Sequence, residues 1–358
     1  MIYIFRVDIG YKTGIGHVKR CIAIAKEIKK RDLDVLFIVK GLNNKVSSLL
    51  SPERISYFIM PSEVNYKDEF KNISDFKIEN NAHFILDVSY SKTLNDLNNF
   101  ELYIKELKNN YKYVSLIDGF LNSCVTSFLD LPIDILLIPY VGAEDSILKT
   151  KAKRILLGEN YFIFDPDDIP NIKSREIHNE NANKVLITAG GSDPNGLTIK
   201  VIEATNFIED NHLVLKCVIG PEFDQEYVKE IMSLIRNSKH EIILIKRPKM
   251  LSDLMTWSDF TVSASGLTKY LLAATGTPSI LISIDKEHAD INSSFDHINS
   301  SNHLGILNEI STDKIAQEIK NLIIFKSRRA AMSKAGNNAI NANGNTKVVD
   351  ELININMD

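Results

Sequence analysis

A glycine turn set between a short apolar run and an amphipathic segment constrains this chain more than any other feature. Ile2-Tyr3-Ile4-Phe5 is a run of β-branched and aromatic residues bounded by polar Arg6 and Asp8, which reads as a buried strand. Gly14-Ile15-Gly16-His17 comes next. Then Ile22, Ile24, Ala25, Ile28 and Leu33 recur at helical spacing among Lys26, Glu27, Lys29 and Lys30. Asp34-Val35-Leu36-Phe37-Ile38-Val39 reads as a second strand. Strand, turn, helix, strand is a βαβ opening, and it predicts a parallel α/β sheet. His17 then stands where the first strand hands over to the first helix, a place from which an imidazole can reach a ligand.

The rest of the first half keeps this grammar. Phe84-Ile85-Leu86 ends at Asp87, Tyr113-Val114-Ser115-Leu116-Ile117 ends at Asp118, and a run over 133–138 ends at Pro139. In open α/β sheets ligands bind outside the carboxyl ends of the strands, so Asp87 and Asp118 either face a ligand or cap the helices after them. Between 165 and 183 the apolar period lapses into Pro- and Asn-containing polar sequence, which predicts a boundary near residue 175. The pattern then restarts with Lys184-Val185-Leu186-Ile187-Thr188-Ala189, a turn at Gly190-Gly191-Ser192-Asp193-Pro194, and a helix from 197 to about 207. Further strands are legible at 213–219, 242–246, 260–262 and 279–282, with helices near 225–235 and 250–256 and three more over 313–325, 327–339 and 348–353. Two domains result, 1–175 and 176–358. The chain is long enough for both, with 358 residues of which 44% are hydrophobic.

Charge and cysteine usage remove several classes of function. A formal net charge of −4 offers no general basic field for a phosphate backbone, so nucleic acid is not an expected partner. No apolar run approaches the roughly 20 residues of a membrane span, and the N-terminus lacks a basic-then-apolar leader, which makes the cytoplasm the expected location. Cys21, Cys124 and Cys217 lie far apart without C-x-x-C spacing, so neither a disulfide nor a zinc site is expected.

Three loops have the composition of an anion site. Beside Gly14–Gly16 and Gly190-Gly191-Ser192, the stretch Ser263-Ala264-Ser265-Gly266-Leu267-Thr268 succeeds a strand with small and hydroxylated residues and leads into a helix. Glycine and serine let backbone N–H groups approach a diphosphate, while a tight capped turn uses the same residues. Neither a Walker loop nor a G-x-G-x-x-G dinucleotide fingerprint is present, which argues against NTPase and dehydrogenase chemistry.

Taken in order, these motifs resemble a known family. Arg6-Val7-Asp8 with Gly14-Ile15-Gly16-His17-Val18-Lys19-Arg20-Cys21 is similar to the R-x-D … G-x-G-H-x-x-R-C opening of the UDP-2,4-diacetamido-2,4,6-trideoxy-β-L-altropyranose hydrolases of the pseudaminic acid pathway. Leu157-Gly158-Glu159-Asn160-Tyr161, the 190–194 loop, the 263–268 loop and Gly276-Thr277-Pro278-Ser279 resemble its later motifs, so the likeness spans residue 6 to about 300. The resemblance implies a GT-B-like α/β fold, two Rossmann-like domains with mainly parallel sheets facing across a cleft. The first domain would carry the catalytic base and the second the nucleotide diphosphate. It implies a hydrolase that releases UDP from a UDP-linked sugar without metal or other cofactor, the nucleotide sugar being its partner.

By resemblance His17 is the base that activates water, a role imidazole fills at neutral pH, and the adjacent helix N-terminus disfavours its charged form. Asp8 and Tyr90 join it as catalytic residues. Arg6, Gly14, Gly16, Gly190, Gly191, Ser192, Ser265, Gly266, Leu267, Thr268, His288 and Asn292 form the binding set. The chain departs from the family at Leu271, where related enzymes carry a ribose-binding glutamate. It departs again over 285–292, where an Asn-Gln pair is usual and where His288 and Asn292 either take its place or belong to a solvated loop, the loop being slightly favoured. Tyr90 falls one residue later than the family's tyrosine. A GT-B glycosyltransferase acting in surface polysaccharide synthesis is the alternative reading of the same motifs.

Overall fold

The structure is a computed structural model that describes residues 1–9, 16–41, 43–89, 93–119, 124–173, 175, 178–264 and 266–355, the side chains of 43–45 excepted. The chain divides into two compact units, Met1–Asp165 with Asn343–Asp358, and Pro166–Ala342.

In the first unit, β1 (Ile2–Asp8), α1 (Gly16–Lys29), β2 (Asp34–Lys40), α2 (Asn43–Leu50), β3 (Ser56–Met60), α3 (Tyr66–Ser74), β4 (Ala82–Asp87), α4 (Leu94–Asn110), β5 (Tyr113–Ile117), β6 (Ile135–Ile138) and β7 (Arg154–Leu157) succeed one another. The seven strands lie in the order β3-β2-β1-β4-β5-β6-β7, all parallel. The order reverses at β1, and this switch point is where α/β sheets open a crevice at their carboxyl ends. α1 turns Val18, Cys21, Ile22, Ala25 and Ile28 into the core, the 3.6-residue stripe visible in its sequence.

The second unit runs β8 (Lys184–Thr188), α5 (Leu197–Thr205), β9 (Val214–Ile219), α6 (Gln225–Arg236), β10 (Glu241–Lys246), α7 (Leu251–Trp257), β11 (Phe260–Ala264), α8 (Thr268–Ala274), β12 (Ser279–Ser283), α9 (Lys286–Asp296), β13 (Ser301–Ile306), α10 (Thr312–Ile324) and α11 (Lys326–Ala339). Its six parallel strands take the order β10-β9-β8-β11-β12-β13. Both units are thus Rossmann-like, as the repeated strand–turn–helix openings indicate.

The units are divided differently from the expected 1–175 and 176–358. The final helix α12 (Gly344–Asn354) returns to the first unit, where Val348, Val349 and Leu352 join the core beside α1. An apolar stripe does not by itself say which sheet it covers, and here contacts remote in sequence tie the helix to the first unit. Asn345 accepts from the Phe164 N–H at 2.9 Å and donates to its carbonyl at 2.9 Å, and Arg154 pairs with Glu351 at 2.8 Å. Residues 285–292 are a second correction. They are the cap and first turns of a helix, not a solvated loop, because the Asp285 side chain accepts from the backbone N–H of His288 and starts α9.

Candidate functional site

His17 lies in the first turn of α1, and Asp87 is the last residue of β4, which pairs with β1 in register so that Val7 faces Asp87 across the ladder. The backbone therefore brings together a histidine and a carboxylate 70 positions apart. His17 Nδ1 stands 2.5 Å from Asp87 Oδ1. Arg20, one turn along α1, donates through Nε to Asp87 Oδ2 and through Nη2 to Oδ1, both at 2.8 Å, and through Nη1 to the Tyr140 hydroxyl. The Cys21 thiol adds a weak donation to Asp87 Oδ2 at 3.6 Å.

Asp87 is only 1% exposed. Burial pushes its carboxyl up, but the Arg20 guanidinium and the hydrogen bonds from His17 and Arg20 prevail and hold it at about 2. An ionised carboxylate accepts hydrogen bonds only, so His17 Nδ1 carries the proton of the 2.5 Å contact. The more distant Arg20 Nη2, at 3.4 Å, cannot displace it. In the neutral ring Nε2 then keeps its lone pair, on a side chain 29% exposed. The arrangement can take a proton from a group at Nε2, and the ionised Asp87 then faces the imidazolium that results.

The two aspartates left open by the sequence therefore differ. Asp87 orients a histidine. Asp118 caps its own turn, accepting from the N–H groups of Gly119, Val125 and Thr126 and from the Thr126 hydroxyl at 2.7–3.1 Å. Asp8, at the carboxyl end of β1, is 13% exposed, while Arg6 is fully buried and spends its guanidinium on Glu69 and Asp8. Arg6 therefore supports Asp8 and does not reach a ligand directly. Gly16 opens α1 with nothing within 4 Å of where a Cβ would stand. Gly14, Tyr90 and Ser265 lie outside the described residues.

In the second unit Gly190, Gly191 and Ser192 form an exposed turn after β8. Gly190 has φ +77°, a conformation that favours glycine. The next helix offers less to an anion than its position suggests, because Asp193 already accepts from the N–H groups of Leu197 and Thr198 at 2.7 and 2.9 Å. The open donors are those of the glycine turn itself. Gly220, after β9, packs directly under that turn: a Cβ there would stand 2.2 Å from the Gly191 carbonyl oxygen and 2.5 Å from that of Gly190. A cavity of 450 Å³ adjoins it, lined among others by Ile219, Phe223, Lys246 and Arg247. Gly220→Ala should therefore displace the turn and cost roughly 1–3 kcal/mol by overpacking, to be read from urea denaturation of the two proteins.

Gly266, Leu267 and Thr268 border the exposed approach to α8. His288 is half-exposed and its ring pairs with Asp285 at 2.7 Å. Asn292 is fully buried and engaged internally, accepting from the Lys269 ammonium at 2.7 Å and donating to the Ser283 hydroxyl at 2.9 Å. The structure therefore does not bring Asn292 to a ligand-facing surface. Burial pushes the Lys269 amine down to about 8 against the opposing pull of Asp296. Asp87 was signalled by its place at a strand end. Tyr140 and Glu69 carried no local signal, being 120 and 63 positions from the arginines they hold.

Among the described residues no group of three or more His, Cys, Asp or Glu side chains is arranged to hold a metal ion, and no helix is long and apolar enough to cross a membrane.

Two parallel Rossmann-like units of this kind define the GT-B-like fold. The chain is similar to MurG of Acinetobacter baumannii (TM-score 0.70, 13% identity, 99% of each chain) and to a UDP-GlcNAc 2-epimerase from Neisseria meningitidis bound to UDP-GlcNAc (TM-score 0.63, 14% identity, 99% of this chain and 100% of that one). It is 21% identical over 347 residues to the spore coat polysaccharide biosynthesis protein SpsG of Bacillus subtilis, covering 95% of this chain and 94% of that one. It is also 24% identical over 289 residues, 77% of this chain, to the uncharacterized protein MJ1062 of Methanocaldococcus jannaschii, of which it spans about half the length, 54%. No protein-family model matches the chain.

Proposed function

We propose that the chain is a nucleotide-sugar enzyme, and specifically a hydrolase that releases UDP from a UDP-linked 2,4-diacetamido-2,4,6-trideoxy sugar of the altrose type, in the synthesis of a nonulosonic acid. The observation that carries the reading is the oriented His17. With Nδ1–H fixed on Asp87, Nε2 accepts a proton from water as the water oxygen forms its bond to the anomeric carbon. The bond from that carbon to the diphosphate oxygen breaks, and UDP leaves with the electron pair. Asp87 holds the ring and stabilises the transient imidazolium, and Arg20 holds Asp87. In the second unit the open N–H groups near Gly190, Gly191 and Ser192, with Gly266, Leu267 and Thr268, are the proposed diphosphate contacts. The UDP-GlcNAc held by the Neisseria epimerase supports a nucleotide sugar as ligand for this fold.

A second reading, glycosyl transfer to an acceptor hydroxyl, is favoured by the likeness to a spore coat polysaccharide biosynthesis protein. The same base would deprotonate the acceptor instead of water. Incubation with the UDP-altrose derivative and no acceptor separates the two. Stoichiometric UDP and free sugar support the hydrolase, whereas an intact substrate that is consumed only when an acceptor glycan is added rejects it. Thermal-shift screening with UDP, GDP and CMP sugars identifies the nucleotide, since a ligand that binds the folded protein raises its melting temperature.

A further inference from the structure

We infer that Glu69 and Tyr66 of α3 are positioning residues for the His17–Asp87 pair, together clamping the backbone of Ser89, Glu69 through Arg6 and Asp8 and Tyr66 directly. The inference rests on the reading of His17 as the reacting base and adds to it the device that keeps Asp87 in place.

Asp87 is the last residue of β4 in the ladder, and Ser89 lies two residues beyond it, where the sheet no longer supplies backbone partners. Both sides of Ser89 are nonetheless held. Its N–H donates to Asp8 Oδ2 at 2.7 Å, and its carbonyl accepts from the Tyr66 hydroxyl. The other oxygen of Asp8 accepts from Arg6 Nη1 at 2.6 Å, and Arg6 in turn donates Nε and Nη2 to the two oxygens of Glu69 at 2.6 and 2.8 Å. Arg6 and Glu69 are both 0% exposed. Lys40 leans on the same group, its ammonium 3.8 Å from Glu69 and 5.4 Å from the centre of the Tyr66 ring.

Stability alone gives no reason for such a pair, because an apolar pair of equal volume usually does as well once desolvation is counted. What a two-pronged guanidinium–carboxylate contact provides is a fixed angle. Here that angle is passed from α3 to β1 and on to Ser89. Burial and the nearby Asp8 push the Tyr66 phenol well above its ordinary range, so it stays protonated and remains a donor to Ser89. A slack Ser89 would let Asp87 drift, and displacement of a reacting group by about 1 Å can cost about 10²-fold in rate.

Tyr66→Phe is the decisive variant, because it removes one hydroxyl while keeping the ring against Phe100 and Tyr103. Glu69→Gln is informative only if it folds, since it strips a buried arginine of its counter-charge. The readouts are turnover of the UDP sugar and the ring-nitrogen NMR correlations of His17, assigned with His17→Ala. In the wild type Nδ1 should be protonated and Nε2 bare. Tyr66→Phe is expected to lower kcat by about tenfold with KM unchanged and to convert the His17 signals to a mixture of tautomers or positions. A Tyr66→Phe protein with the wild-type His17 spectrum overturns the inference whatever its turnover. A changed spectrum with unaltered turnover upholds the clamp and counts instead against His17 as the reacting base.

Discussion

Replacement of His17 by alanine is expected to slow UDP release by roughly 10²–10⁴-fold, the usual contribution of a positioned general base, with little change in folding. The side chain is 29% exposed, and its loss leaves Asp87 still held by Arg20 on both oxygens, so the buried charge is not stranded. Wild-type turnover by His17→Ala, measured as UDP released from the altrose derivative, would remove the proposed mechanism while leaving the fold assignment untouched. A mutant that binds UDP as well as the wild type and fails only in turnover would place the defect in the chemical step.

The second large effect is predicted for Asp87→Asn, and it has two components. An amide cannot balance the Arg20 guanidinium, so stability at pH 7 should fall by about 3 kcal/mol, as when one partner of a buried pair is removed. The amide also presents its NH₂ or its carbonyl to His17 without fixing which nitrogen of the ring carries the proton, so activity should fall as well. The pH dependence gives an independent check. The folded carboxyl of Asp87 sits at about 2, below the ordinary carboxylate value near 3.9, so the folded state binds its proton less readily than the unfolded one. Its contribution is therefore present above about pH 4 and is lost as the pH falls from 4 through 2, an amount of roughly 2 kcal/mol. Urea denaturation between pH 5 and 2 should show this slope in the wild type and a flatter one in Asp87→Asn. Identical slopes would mean that the carboxylate is not held as described.

Much of this protein is readable from local pattern, and the exceptions share a cause. The strand before the glycine turn, the stripe of α1 and the restart at Lys184 depend on residues within a few positions of one another, and period alone reveals them. α9 was hidden because a buried polar residue occupies an inward position: Asn292 faces the interior between Ile291 and Phe295 and bonds to Lys269 and Ser283, so the apolar period is broken where the helix is most enclosed. The site divides in the same way. His17, Arg20 and Asp87 each stand out by motif or by position at a strand end, but their convergence depends on the pairing of β1 with β4. Arg6 and Asp8 were marked by a motif that resembles one of a known family, whereas Glu69, which holds Arg6, and Tyr66, which holds Ser89, lie on a helix whose sequence carries no such mark.

The return of α12 to the first unit bears on the order in which the protein can be made. Gly344 comes so close to Phe162 that a Cβ would stand 2.0 Å from its carbonyl oxygen, and Asn345 is bonded to both backbone groups of Phe164. The chain thus leaves the first unit and re-enters it at one spot, with residues 166–342 inserted between the two crossings. On the ribosome the inserted unit is complete before the residues that finish the first have been added. The half of the molecule that carries His17 begins synthesis first and closes its core last, sealed by Val348, Val349 and Leu352 after the other half is already free to fold.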